Sequence, residues 1–150
     1  MLSVGLVGKN GHDVERELTR ISGGKARCHH ITSNGEVPEL DVLVVSEGSS
    51  VLPEVIPRLA GSGYLVVNAD DKTIFPYITS RNTKLVTYGF SNKACITASS
   101  ISDDSLQVCI QRGFTALDGA VKDPQEFSAT AGAVPPEATL GAAAAWAICQ

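Results

Sequence analysis

No block of lysine or arginine runs along this chain, in which twelve basic residues face sixteen acids for a formal charge of −4. Proteins that track nucleic-acid phosphates gather cations on one face, so no nucleic-acid partner is expected. No stretch approaches the ~18 apolar residues of a membrane span. MLSVGLVGKNGHD has neither the basic n-region nor the apolar h-region of a secretory signal. The expectation is a soluble cytoplasmic chain that needs no membrane. No CxxC pair occurs, and Cys28, Cys95, Cys109 and Cys149 are too dispersed for a metal knuckle, so they read as buried apolar thiols. GxSxG, HExxH and any spaced nucleophile and base are also missing, which removes support for a hydrolase. No internal repeat or low-complexity linker divides the chain.

What is present suffices for one domain, residues 1–150, since 43% apolar residues over this length can build one core without staples. Ser3 to Val7 reads as a short strand, Gly8 to Gly11 as a turn, and Val14, Leu18 and Ile21 recur at helical spacing before Gly23 and Gly24 close the helix. A second strand is expected over Arg27 to Thr32. Asp41 to Val45 has the continuous apolar pattern of a buried parallel strand and empties into the polar loop Ser46 to Ser50. Pro57 predicts a short or kinked helix within Val51 to Leu59. Gly61, Ser62 and Gly63 predict a turn into a strand over Tyr64 to Val67, with the polar turn Asn68 to Asp71 behind it. Lys84 to Tyr88 is a fifth strand. Ala94 to Ser99, Leu106 to Thr115 and Glu126 to Thr130 then read as antiparallel strands, with turns at Asp103 and Asp104 and around Lys122 to Pro124, and Pro135 and Pro136 open an alanine helix to Ile148. The order predicts an α/β layer with a parallel half and an antiparallel appendix.

Gly8 to Asp13 is a candidate anion cradle, because glycines between a strand and a helix let backbone N–H groups close on a phosphate at the positive helix end. Loops that transfer phosphate place Lys and then Ser or Thr where this chain has His12 and Asp13. The plainer reading is a tight turn with Asp13 as the capping residue. Gly5, Gly8 and Gly11 also have GxxGxxG spacing, but no acid ends the second strand at His30 to Ser33; Glu36 is the nearest. His29 and His30 are neighbours on a strand and point to opposite faces, so they cannot chelate one metal as a pair and read as edge or surface histidines. Glu47 stands at a strand's carboxyl end, a sensible place for a Mg²⁺-binding carboxylate or a solvated loop acid. Asn68, Asp70 and Asp71 occupy the equivalent end of the next strand, suited either to a base edge or to turn formation.

Several of these segments together resemble the central ATP-binding domain of the Mur ligases of peptidoglycan synthesis. The family's GTNGKT loop is matched by Gly8, Lys9, Asn10, Gly11, His12 and Asp13. Its NADDP segment and TYGFS-like turn are matched by Asn68 to Lys72 and by Val86 to Ser91, and its hairpin and NALAAIAAA-like helix by Glu126 to Gly132 and Leu140 to Ala145. The resemblance implies a three-layer, P-loop-like α/β fold with a mainly parallel sheet and an antiparallel C-terminal hairpin. It implies candidate nucleotide contacts at Gly8, Lys9, Asn10, Gly11, His12, Asn68 and Asp70, with Asn68 toward adenine, and a metal-binding carboxylate at Glu47.

The departures define the expected function. His12 and Asp13 replace the loop's Lys and Thr, and Tyr64 to Asn68 leaves no room for the family's TN…DH segment or its modified lysine. The flanking domains for the UDP-sugar precursor and the amino acid have no counterpart in these residues. An acyl-phosphate intermediate would lack its main electrostatic stabilisation, so no catalytic residue is assigned. The expectation is a non-catalytic nucleotide- or ligand-binding or scaffold module, with ATP or ADP and Mg²⁺ held weakly or no longer held. One alternative is a subunit of an ATP-dependent amide ligase completed by partner chains; another is an NAD(P)-binding module. A homo-oligomer is expected, burying the alanine helix and the antiparallel end.

Overall fold

Residues 2–32, 36–78, 84–130 and 134–149 are described by the computed structural model of the chain. The matched hairpin's end at Gly132 and the second-strand position Ser33 lie outside them. β1 (Leu2–Val7) leads through the glycine turn into α1 (Gly11–Ser22), and β2 (Ala26–His30) returns parallel to β1. β3 (Leu40–Val45), the short helix α2 (Leu52–Val55) with a 3-10 turn at Ile56–Arg58, β4 (Leu59–Asn68) and β5 (Lys84–Tyr88) complete the parallel half. β6 (Ile96–Ile101) pairs with β5 in parallel at one position, and β7 (Ser105–Ile110) and β10 (Gln125–Thr130) add antiparallel strands. β8 (Phe114–Thr115) and β9 (Val121–Lys122) form a separate two-stranded hairpin, and α3 (Pro136–Cys149) ends the described chain.

The eight-stranded sheet has the order β10-β7-β6-β5-β4-β3-β1-β2. Its parallel part, β2-β1-β3-β4-β5, is one of the common doubly wound orders, whose switch point falls between β1 and β3. Alternation along the buried strands sends side chains to two cores. Val4, Leu6, Val42, Val44 and Val66 face α1 and α3, whereas Val7, Leu43, Val45, Leu65 and Val67 face α2 and its 3-10 turn. Helices therefore cover both faces of a mostly parallel sheet.

α3 is apolar all round, which suits only a helix enclosed on every side. Ten of its fourteen residues are buried within this one chain, so the alanine helix is not a free face for an assembly. Gly141 lets α3 approach Tyr88 closely; a Cβ there would sit 3.1 Å from the ring.

Three local expectations change. The Gly61 to Gly63 turn is absorbed into β4 as a register irregularity between the Leu40 and Val42 pairings, because β4 starts pairing with β3 at Leu59 and resumes at Tyr64. The expected strand Leu106 to Thr115 divides into β7 and β8. Asp13 is not the cap of α1: Asn10 holds that place, left-handed at φ 65° and without a side-chain capping bond, while Asp13 sits inside the first turn. Gly23 closes α1 as expected, in the left-handed conformation.

Candidate functional site

In parallel βαβ units the strand ends and the helix starts gather at one edge of the sheet. The expected crevice lies there, between the loop after β1 and those after β3, β4 and β5. It is nearly closed. Ser46, buried at the end of β3, donates its hydroxyl to the carbonyls of Lys9 and Val7, and its backbone N–H bonds Val7 O at 3.0 Å. Gly8 makes this possible at φ +104°, since a Cβ there would lie 2.6 Å from Ser46 Oγ and 2.7 Å from the Glu47 nitrogen. The space left among Lys9, Asn10, Ser46, Asn68, Tyr88 and Glu137 is about 10 Å³, at the lower limit for a single water.

The candidate residues of the strand ends hold one another. Asn68 Oδ1 accepts the Asp70 N–H at 3.0 Å, forming a local turn that leaves only its amide NH₂ as a donor outward. Asp70 accepts the N–H groups of Phe90 and Ser91 at 2.7 and 3.2 Å, joining the turn after β4 to the turn after β5. Asp71 accepts from the Thr73 hydroxyl and N–H at 2.6 and 2.9 Å, and these bonds, helped by the charge of Lys9, hold its carboxyl below the usual range. Thr73 Oγ1 in turn accepts the N–H of Gly48 at 3.0 Å, fastening the loop that carries Glu47.

The first-turn N–H groups of α1, at Gly11, His12 and Asp13, precede the first bond of the helix, from Val14 N to Asn10 O. They remain the cradle's donors. Asp13 on the same turn and Glu137 at the start of α3 bring negative charge to it, which disfavours a phosphate. Gly5 is not a turn glycine: it lies inside β1, where it makes room for Leu40 and Leu43.

His12 leaves the crevice for the outer side of α1. Its ring stacks on that of His30 with centroids 4.3 Å apart, and His30 Nε2 lies 2.8 Å from Glu15 Oε1. Their ligating atoms all fall within 4.8 Å of one another. Among the described residues this is the cluster of three metal-ligating side chains, and Glu47 belongs to none. Glu15 escapes a reading along the chain because nothing local marks it; the signal was the His12–Glu15 spacing of three on a helical turn. His29 does point away from His30, as alternation requires, and its Nε2 is buried without a partner.

A larger cavity of about 410 Å³ lies away from the strand ends, between α1, α3 and the β7–β10 pair, with Arg20, Lys122, Phe127 and Trp146 in its walls. Comparison with protein-family models and with curated proteins finds no match for the chain.

Proposed function

We propose that this chain is a non-catalytic module similar to the central domain of the Mur ligases, in a P-loop-like setting, that binds or scaffolds and no longer grips a nucleoside triphosphate. The observation that carries this reading is the closed β1–α1 loop. Ser46 ties the Lys9 carbonyl to the end of β3, about 10 Å³ remains beside it, and Asp13 and Glu137 offset the charge of Lys9 where a phosphate needs a surplus of cations. ATP with Mg²⁺ therefore does not fit these residues. The NADD and YGFS matches keep a role without nucleotide, since Asp70 ties one to the other.

Assembly into a homo-oligomer remains part of the proposal. Its contact surface lies away from α3, on the opposite sheet face, where Leu85 is 45% exposed. The test is calorimetry with ATP, ADP and UDP-sugars, together with ATP turnover in Mg²⁺. No turnover and no preference for ATP over ADP are expected. Turnover that Glu47→Ala abolishes would overturn the reading.

A further inference from the structure

The βαβ unit β1–α1–β2 brings two distant pieces of sequence to one edge. Because β2 runs parallel to β1, its last residue, His30, ends beside the N-terminal end of α1, which carries His12 and, one turn on, Glu15. Two imidazoles and one carboxylate are thus brought together, with one ligating atom of each within 4.8 Å of the other two. Around a tetrahedral ion with bonds of about 2.0–2.2 Å, ligand atoms sit roughly 3.3 Å apart, so the cluster needs only an inward adjustment of exposed side chains. Gly11 helps to hold the geometry: with no Cβ it admits the His30 ring, whose Nδ1 lies 3.3 Å from where that Cβ would be. The contact fixes Nδ1 against the helix and turns Nε2 towards Glu15.

We propose that His12, Glu15 and His30 form a binding site for a divalent transition metal of the Zn²⁺ class, held by two ring nitrogens and one carboxylate oxygen with a coordination position left for water or an external ligand. This site is separate from the crevice and does not depend on the reading given for it. The donor set decides the class. Imidazole nitrogens suit Zn²⁺, Co²⁺ or Ni²⁺, whereas Mg²⁺ and Ca²⁺ require oxygen shells that these residues do not provide. The positive end of α1 opposes a cation, and the carboxylates of Asp13 and Glu15 near that end offset it. In the metal-free chain the His30–Glu15 hydrogen bond keeps two of the ligands together. Binding replaces the proton between them by the metal, and His30 binds as neutral imidazole.

The test titrates the full chain with Zn²⁺ by calorimetry and with Co²⁺ by visible absorption, in millimolar Mg²⁺, for wild type, His12→Ala, Glu15→Gln and His30→Ala. The expected result is one Zn²⁺ per chain, undisturbed by Mg²⁺, with affinity at least tenfold weaker in each variant and a Co²⁺ spectrum without a thiolate charge-transfer band. His12 and His30 are exposed and Glu15 is half-buried, so the metal-free variants should keep a cooperative unfolding transition within about 5 °C of wild type, which separates ligand loss from misfolding. Absence of stoichiometric binding, binding unchanged in His12→Ala and His30→Ala, or a thiolate band showing that the free cysteines hold the metal would each overturn the proposal.

Discussion

Asp70 reaches from the turn after β4 to accept the backbone N–H of Phe90 at 2.7 Å, beyond the end of β5. The same carboxylate accepts the Ser91 N–H at 3.2 Å, and a Cβ on Gly89, at φ +154°, would lie 2.8 Å from it. The segment of sequence most specific to the family resemblance is therefore also a mechanical latch between adjacent strand ends.

Removing that latch should cost stability whether or not any ligand binds. Asp70→Ala leaves two turn amides to water and is expected to lower unfolding free energy by about 1–3 kcal/mol, with Asp70→Asn in between. Gly89→Ala should be at least as damaging, because the new methyl group meets the carboxylate. Urea unfolding of the three variants checks this, and a Gly89→Ala midpoint equal to wild type would contradict the role given to the glycine.

Gly8 and Gly24 separate steric from conformational demands. Both have positive φ, +104° and +82°, yet only Gly8 has neighbours within reach of a Cβ. Gly24→Ala should cost about 1 kcal/mol from the left-handed conformation alone. Gly8→Ala should cost about 2 kcal/mol or more, since Ser46 and the Glu47 backbone must move as well. Comparable thermal shifts for the two variants would show that the β1–α1 loop is looser than its packing indicates.

A buried carboxylate ties α1 to α3. Glu17 is 2% exposed, accepts the Thr139 hydroxyl at 2.8 Å and pairs with Arg20 at 2.9 Å. Burial raises its pKa, but the bonds from Arg20 and Thr139 outweigh that and leave it below the ordinary carboxylate value. A depressed folded-state pKa contributes stability above the unfolded value, and the contribution is lost as pH falls through the folded value. Wild type should thus lose stability on the acid side of the carboxylate range more steeply than Glu17→Gln. Thr139→Val should cost about 1–2 kcal/mol at neutral pH. Unfolding midpoints from pH 3 to 7 give both; parallel pH profiles for wild type and Glu17→Gln would refute the assignment.

Three thiols should be slow to react in the folded chain. Burial pushes Cys28 up to about 11 and Cys149 up to about 12, the charges of Glu15 and Asp41 adding to the respective shifts, and burial also raises Cys95. Thiolate is the reactive form, so alkylation at pH 8 followed by peptide mass analysis should find these positions largely unlabelled until denaturant is added. Rapid native labelling of Cys149 would contradict the packing of the end of α3.

Strands with strong apolar runs were legible in the sequence because burial on both faces leaves a continuous signature. β3, buried on both faces, falls within a residue of expectation for this reason; β5 falls on Lys84–Tyr88 although Lys84 and Leu85 are exposed, and Gly23 closes α1 as expected. Gly61 and Gly63 misled because glycine marks a bulge as readily as a turn. β8 and β9 are two residues each, too short to carry a period. The candidate site was legible as a location but not as a state. Ser46 closing on the Lys9 carbonyl depends on register between β1 and β3, and the His12–Glu15–His30 cluster joins residues that only the βαβ return brings together. Glu47 and Lys9 kept their expected places at the strand ends, whereas His12 turned outward to His30.

The decisive measurement is a crystal structure of the chain grown with Mg²⁺ and a nonhydrolysable ATP analogue. The closed loop predicts that no terminal phosphate occupies the first-turn N–H groups of Gly11, His12 and Asp13, and that Ser46 stays on the Lys9 carbonyl. A γ-phosphate seated on those groups, with Mg²⁺ beside Glu47 and the Ser46 contact broken, would contradict the account.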